Sequence, residues 1–241
     1  MTDSIKLHSF LAHAGVASRR TSEKLIADGF VTVNGTVTNN VATRIRPEKD
    51  VVAVRGKKIS SIQVPYVYYI LNKPVGYVST ARDPDGRRTV MSLVPSSPRV
   101  YPVGRLDIDT EGLLILTNDG DLAYRMTHAK FEMQKTYRVL IQGAPGNTAL
   151  NAMRAGVLLK EGVTGPTEIE IEQHDHGNTW IRITIHEGGR NRQVRRMCAQ
   201  FDLQILRLIR VSHGPFSLNE LRPGTWRLAT KTEVATVGTP K

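Results

Sequence analysis

Cysteine occurs once in this chain, at Cys198. A single thiol excludes an internal disulfide framework and suits a reducing compartment. Long apolar runs are missing too, so no stretch is expected to cross a bilayer. The opening residues, MTDSIKLHSF, lack the basic start and apolar core of a secretory signal, which predicts a cytoplasmic protein with no membrane partner. There is no dinucleotide glycine fingerprint, no phosphate loop ending in Lys-Ser/Thr and no spaced Cys/His set, so neither cofactor nor metal is expected. His174 and His176, in QHDHG, read as part of a polar turn. Acidic residues are the most telling shortage. The 33 Lys and Arg face only 22 Asp and Glu, a net charge of +11. Such an excess favours a polyanion, because basic side chains displace the counterions condensed on a phosphate backbone.

A length of 241 residues allows one core domain with a small appendage. Leu7, Phe10, Leu11 and Ala14 fall at helical spacing, and Gly15 stops that helix. Ser18 can cap a second helix running to Asp28. Phe30–Val33 then reads as a strand, and Asn34-Gly35 as a two-residue hairpin turn. Val51–Val54 is strand-like, Arg55-Gly56-Lys57-Lys58 a basic turn, and Ser60, Ser61 and Pro65 a linker. The boundary is placed between residues 60 and 61. Beyond it, strands are expected at Tyr66–Leu71, Leu113–Leu116, Thr136–Ile141 and Trp180–Ile185. Helices are expected near Leu122–Thr127, Ala149–Ala155 and Arg192–Phe201. The fold class is α+β with a mixed, largely antiparallel sheet and flanking helices.

Two regions concentrate chemistry. In the small N-terminal unit, Arg19 and Arg20 open the second helix, where free N–H groups attract phosphate; Lys6 and Lys24 extend that candidate clamp. In GRLDIDTEGLLILTNDG, residues 104–120, Arg105, Asp107 and Asp109 alternate with Leu106 and Ile108. On a strand this puts the charged set on one face and the apolar set against a core. Asp107 and Asp109 invite comparison with a glycosidase carboxylate pair. That reading leaves the basic C-terminal half unexplained, and the sequence offers no recognisable face of exposed aromatics to hold a polysaccharide. In the helix at Arg192–Phe201, Val194, Met197, Cys198 and Phe201 follow the spacing of a core-facing stripe. Arg192, Arg195 and Arg196 lie on another side, Arg190 precedes them, and Arg207 and Arg210 follow in LRLIR. A surface so rich in arginine suits RNA phosphates and everted bases.

The stretch KLHSFLAHAGVASRRTSEKLIADGFVTVNG resembles the S4 RNA-binding domain over residues 5–52, with Thr21 departing from a common Glu. The motif Gly104-Arg105-Leu106-Asp107, followed by Thr110 and Gly112, resembles the hallmark of pseudouridine synthases. LNKPVGYVST at 71–80, KTYRV at 135–139 and IHEGGRNRQVRRM at 185–197 agree with it. The resemblance runs from Tyr66 to Leu228 and is nearest to the branch that holds small-subunit synthase A and large-subunit synthase B, the B type above all. It implies an S4-like domain followed by a synthase domain. It makes Asp107 the essential aspartate, Tyr137 the ring against the target base and Arg195 the cation paired with Asp107. Arg105, Arg190, Arg192 and Arg196 join the RNA-binding set. The implied reaction converts uridine to pseudouridine in ribosomal RNA, most readily large-subunit RNA or its assembly intermediate, without a cofactor and as a monomer. Small-subunit RNA, or RNA binding without catalysis, are the alternatives. Asp107 serves as nucleophile or as base; either role begins from a carboxylate, which a neighbouring guanidinium stabilises. Gly188-Gly189, where the family commonly has one Gly, lengthens the loop before the arginine helix. The segment Arg82–Arg88, with three arginines among turn residues, is expected to order on RNA.

Overall fold

The structure, a computed structural model, describes residues 4–59, 64–186 and 190–238. Ser60, Ser61 and Gly188-Gly189 lie outside them. The chain divides into two compact units, residues 1–66 and 67–241, a division six residues later than the sequence suggests.

In the first unit, β1 (Ile5–Lys6) leads into α1 (Leu7–His13) and α2 (Arg19–Ala27). Ser18 caps α2 as expected, its Oγ accepting from the Thr21 amide at 3.1 Å. The Thr21 hydroxyl meets the same oxygen at 2.7 Å. β2 (Val31–Val33) and β3 (Thr36–Thr38) form the hairpin around Asn34-Gly35, whose φ values of 53° and 84° are those of a type I′ turn. β4 (Arg44–Ile45) pairs with β1. β5 (Val52–Val54) and β6 (Lys57–Ile59) complete a four-stranded sheet in the order β3-β2-β5-β6. Leu7, Phe10, Leu11, Ile26, Val31, Ile45, Val52 and Val54 close its core.

The second unit is built on one mixed sheet, nine-stranded among the described residues. Its main path uses β7 (Tyr68–Lys73), β9 (Glu111–Thr117), β10 (Lys135–Gln142), β13 (Thr167–Asp175), β14 (Asn178–Ile185), β15 (Ile205–His213) and β17 (Trp226–Leu228). The order is β13-β14-β10-β15-β9-β7-β17, with β8 (Tyr101–Val103) on β9 and β16 (Phe216–Ser217) on β15. A small hairpin, β11 (Leu158–Leu159) with β12 (Gly162–Val163), stands apart. The strand pairs are antiparallel except β15 with β9, where Arg210 lies opposite Gly112. The run Leu113–Leu116 is buried on both faces. Leu113 and Ile115 pack towards α3 (Gly120–Thr127) and α6 (Lys231–Gly238), while Leu114 and Leu116 pack towards Val90, Val94, Val100 and Leu106. A strand covered on both sides reads as a continuous apolar run, as this one does. α4 (Asn147–Ala155) and α5 (Gln193–Ala199) bury Leu150, Met153, Val194, Met197 and Cys198 against Val139, Ile141, Ile181 and Ile183.

The close pairing of β9 with β15 depends on Gly112. Its φ is +105°, and a Cβ there would meet the Arg210 carbonyl oxygen at 2.2 Å. Only glycine allows both that backbone and that approach.

Candidate active site

Arg105–Asp109 is expected to be a strand, but it lies in the loop between β8 and β9. Gly104 has φ +72°, and the chain turns again after Asp107, whose carbonyl accepts from the Thr110 amide at 3.1 Å. The anticipated alternation therefore holds only in part: Leu106 is buried, whereas Ile108 is exposed. This loop is held from below by KPVGYVS. Lys73, fully buried at the end of β7, donates through Nζ to the carbonyls of Pro74 (3.1 Å), Asp107 (3.0 Å) and Thr110 (2.8 Å). The Gly76 amide donates to Ile108 O at 2.9 Å. The buried Ser79 hydroxyl clamps Leu106, donating to its carbonyl at 2.8 Å and accepting from its amide at 3.1 Å. Asp107 is thus a half-exposed carboxylate on a backbone fixed at three successive residues.

Burial pulls the Lys73 pKa down from 10.5 to about 8, even with Asp109, Asp107 and Glu111 opposing it. The spacing of motifs along the chain assigns Lys73 no role. Its signal is a lysine at the end of an apolar strand, which needs several acceptors once buried.

The cation beside Asp107 is Arg192. Its Nη1 lies 2.9 Å from Asp107 Oδ2. Arg195, expected there, instead reaches Asp109, 3.2 Å from the carboxylate and 3.1 Å from the carbonyl, and the Thr110 hydroxyl at 3.3 Å. Arg192 stands just ahead of α5 and Arg195 within its first turn, and both guanidiniums meet the loop. Arg192 occupies the N-cap of α5 in a left-handed conformation, φ 50°, which places its guanidinium nearest Asp107. Arg196, the next residue round, faces elsewhere and is tied to Glu161 at 2.8 Å. It is not among the residues that line the cleft. Arg190 lines the cleft and also donates to the carbonyls of Gly162 and Val163. Arg105 is exposed at the rim.

Asp107 opens into a cleft of about 280 Å³. Its walls include Arg105, Tyr137, Arg190, Arg192 and Arg195. Tyr137 comes from β10, half-buried, with Ile183 and Arg210 as its cross-strand neighbours. Lys135, Arg210 and His213 lie deeper and are buried. Arg210 departs from the expected basic surface, being buried with Nε donating to Leu113 O at 2.8 Å, whereas Arg207 stays exposed and holds Glu111 through two bonds of 2.9 and 3.0 Å. His213 Nε2 donates to Met126 O at 3.0 Å, and burial, with Arg210 and Lys135 nearby, keeps its pKa well below the usual histidine value. Cys198 is buried on the apolar stripe, its thiol pushed up to about 12 and therefore inert. Among the described residues no group of His, Cys, Asp and Glu is placed to hold a metal ion, and no helix is long and apolar enough to cross a membrane.

The remaining sites are outside the cleft. In the first unit, Lys6, Arg19, Arg20 and Lys24 are all exposed, and Arg19 donates to Ser9 Oγ at 3.0 Å. In the Arg82–Arg88 segment, Arg87 is committed to Asp83 at 2.7 Å and Asp85 at 2.9 Å, while Arg82 and Arg88 are exposed.

An anion fixed on a rigid loop, a guanidinium against it and a flat aromatic in the same cleft can receive an everted nucleoside and act at its sugar. Comparison with known proteins points the same way. Residues 67–200 match the RNA pseudouridylate synthase family, and residues 5–52 match the S4 domain. The ribosomal large subunit pseudouridine synthase B of Bacillus subtilis is 40% identical over 232 residues, covering 95% of this chain and 93% of that one. An uncharacterized RNA pseudouridine synthase of Aquifex aeolicus is 43% identical over 233 residues, covering 96% and 92%. A crystal structure of a pseudouridylate synthase superposes with a TM-score of 0.67 at 30% identity, covering 97% of this chain and all of that one.

Proposed function

The chain belongs to the RNA pseudouridine synthase family, and from that premise we propose that it isomerises a uridine of large-subunit ribosomal RNA, with Asp107 as the central catalytic group. The observation that carries the proposal is the Asp107 carboxylate, carried on a backbone clamped by Lys73 and Ser79 and paired with Arg192 at 2.9 Å, at the wall of a cleft shared with Tyr137. The reaction breaks the bond between ribose C1′ and uracil N1, turns the base, and joins C1′ to C5. The C5 proton departs and N1 gains one, so nothing is oxidised or hydrolysed and no cofactor need supply electrons.

Each residue has a physical task. A uridine stacked in folded RNA is out of reach, so it is everted at a cost of a few kcal/mol, offset by phosphate contacts and stacking. Tyr137 gives the base a flat neighbour. Asp107 acts on the sugar, as nucleophile or as base, and Arg192 favours the charged carboxylate from which either begins. Arg195 holds the Asp109–Thr110 side of the loop and acts through it. Arg105 and Arg190 meet phosphate. The exposed arginines and lysines of the S4 unit add affinity that falls with salt. The B-type relative motivates the large-subunit target, and we take the enzyme to work as a cytoplasmic monomer on free RNA or an assembling particle.

The test uses ribosomal RNA labelled with tritium at uridine C5. Wild-type protein should release the label from large-subunit RNA, and Asp107→Asn should release none above background. Equal release by the two proteins would refute the catalytic assignment. Release from small-subunit RNA alone would move the target.

A further inference from the structure

The sequence offers no obvious exposed aromatic face, yet folding assembles one. Tyr124 near the end of α3, His128 just after it and Phe131 in the following turn come together although no two are adjacent. The Tyr124 and His128 ring centroids are 4.8 Å apart, Tyr124 and Phe131 5.7 Å at 87°, and His128 and Phe131 6.4 Å at 76°. Lys130 places its ammonium 5.2 Å from the Tyr124 ring and 4.7 Å from the Phe131 ring. The cluster is open to solvent. Here Tyr124 is 46% exposed, and His128 and Lys130 are exposed as well. The turn that carries them is ordered by its own bonds, the Lys130 amide donating to His128 Nδ1 at 3.3 Å.

Its position gives the cluster a ligand. Met126 and Thr127, between Tyr124 and His128 in the chain, line the Asp107 cleft. One segment therefore contributes to the cleft wall and carries the aromatic group beside it. Everting a uridine unstacks its neighbours, and any base has a π-face that an exposed ring can take up. A lysine amid the rings supplies the cation for the accompanying phosphate. We propose that Tyr124, His128, Phe131 and Lys130 form a second RNA subsite, where a nucleotide flanking the everted uridine stacks on the aromatic group and its phosphate meets Lys130. This rests on the assignment of the cleft to a uridine in RNA. The subsite contributes binding and position; it touches no reacting atom.

The experiment compares wild type, Tyr124→Phe and Tyr124→Ser on large-subunit ribosomal RNA labelled with tritium at uridine C5. In single-turnover assays Tyr124→Ser should raise the half-saturating protein concentration about tenfold, the scale of one lost base–aromatic stack. The plateau rate should change little, and Tyr124→Phe, which keeps the ring, should behave as wild type. A second arm measures filter binding of the same RNA by Asp107→Asn and by Asp107→Asn with Tyr124→Ser, and the double variant should bind about tenfold more weakly. Equal half-saturation and equal binding, from proteins with unchanged thermal midpoints, would overturn the subsite while leaving the enzyme assignment intact. Absence of label release by wild type would instead strike the enzyme assignment, and the binding arm would still decide the subsite. Loss with Tyr124→Phe as great as with Tyr124→Ser would also overturn it, since the ring would then not be the group that matters.

Discussion

Replacing Lys73 with methionine should disarm the enzyme without touching any residue that faces substrate. Lys73 Nζ donates to three carbonyls within 3.1 Å, two of them on the Asp107 loop. Charge-assisted bonds contribute about 1.5–3 kcal/mol each, so at the low end the three come to about 4–5 kcal/mol. Removing a buried ammonium returns part of this, because its desolvation is what lowers the Lys73 pKa. The net loss expected is about 3 kcal/mol, the low end for stripping one partner from a buried charged cluster. For a chain of this size that lowers the thermal midpoint by about 6–12 °C. Activity should fall further than stability, since displacing a catalytic group by about 1 Å can lower the rate about a hundredfold. Tritium release at saturating RNA and thermal unfolding by circular dichroism measure the two effects. The wild type carries its own control. Lys73 loses its proton near pH 8, which weakens the donors on the loop, so turnover should decline as pH rises through that value. Between about pH 8 and 10.5 the unfolded chain still holds a proton that the folded chain has released, so the Lys73 contribution to stability rises over the same window. Rate and stability should thus move in opposite directions. A methionine variant that melts within about 2 °C of wild type and keeps its turnover would refute the reasoning, as would wild-type turnover flat through pH 8.

Arg192→Gln should lower the maximal rate about a hundredfold while costing at most about 1 kcal/mol of stability, because its pair with Asp107 is largely exposed. Arg195→Gln, the better buried of the two, should weigh more on the thermal midpoint; the reverse ranking in paired kinetic and melting measurements would restore Arg195 as the partner of Asp107. Gly112→Ala should destabilise by about 3 kcal/mol or more, since its Cβ overlaps the Arg210 backbone, whereas Gly120→Ala, with nothing nearer than 3.5 Å, should melt within about 1 kcal/mol of wild type in denaturant titrations. Replacing Arg19 and Arg20 together with Ala should weaken RNA binding and flatten its salt dependence without altering the fold; an unchanged affinity and salt slope would remove the phosphate clamp.

The local pattern of the chain was enough to locate most elements. Ser18 before an amphipathic run, Asn34-Gly35 between β-branched residues and the apolar run Leu113–Leu116 each carry their conformation in adjacent residues. Capping, turn geometry and burial on both faces are short-range or compositional effects, so they can be read without a fold. The motif at Asp107 and the ring at Tyr137 were likewise legible from the order of residues. What folding alone decided are the contacts made across the chain. Period-two alternation suggested a strand at Arg105–Asp109, but Lys73, Gly76 and Ser79 capture those backbone groups in a loop instead. The choice of Arg192 over Arg195 as partner of Asp107 depends on one left-handed residue at a helix cap, and the Tyr124–His128–Phe131 group on where α3 ends. Sequence fixes which groups are available and their local spacing; which donor meets which acceptor is set by packing between segments remote along the chain.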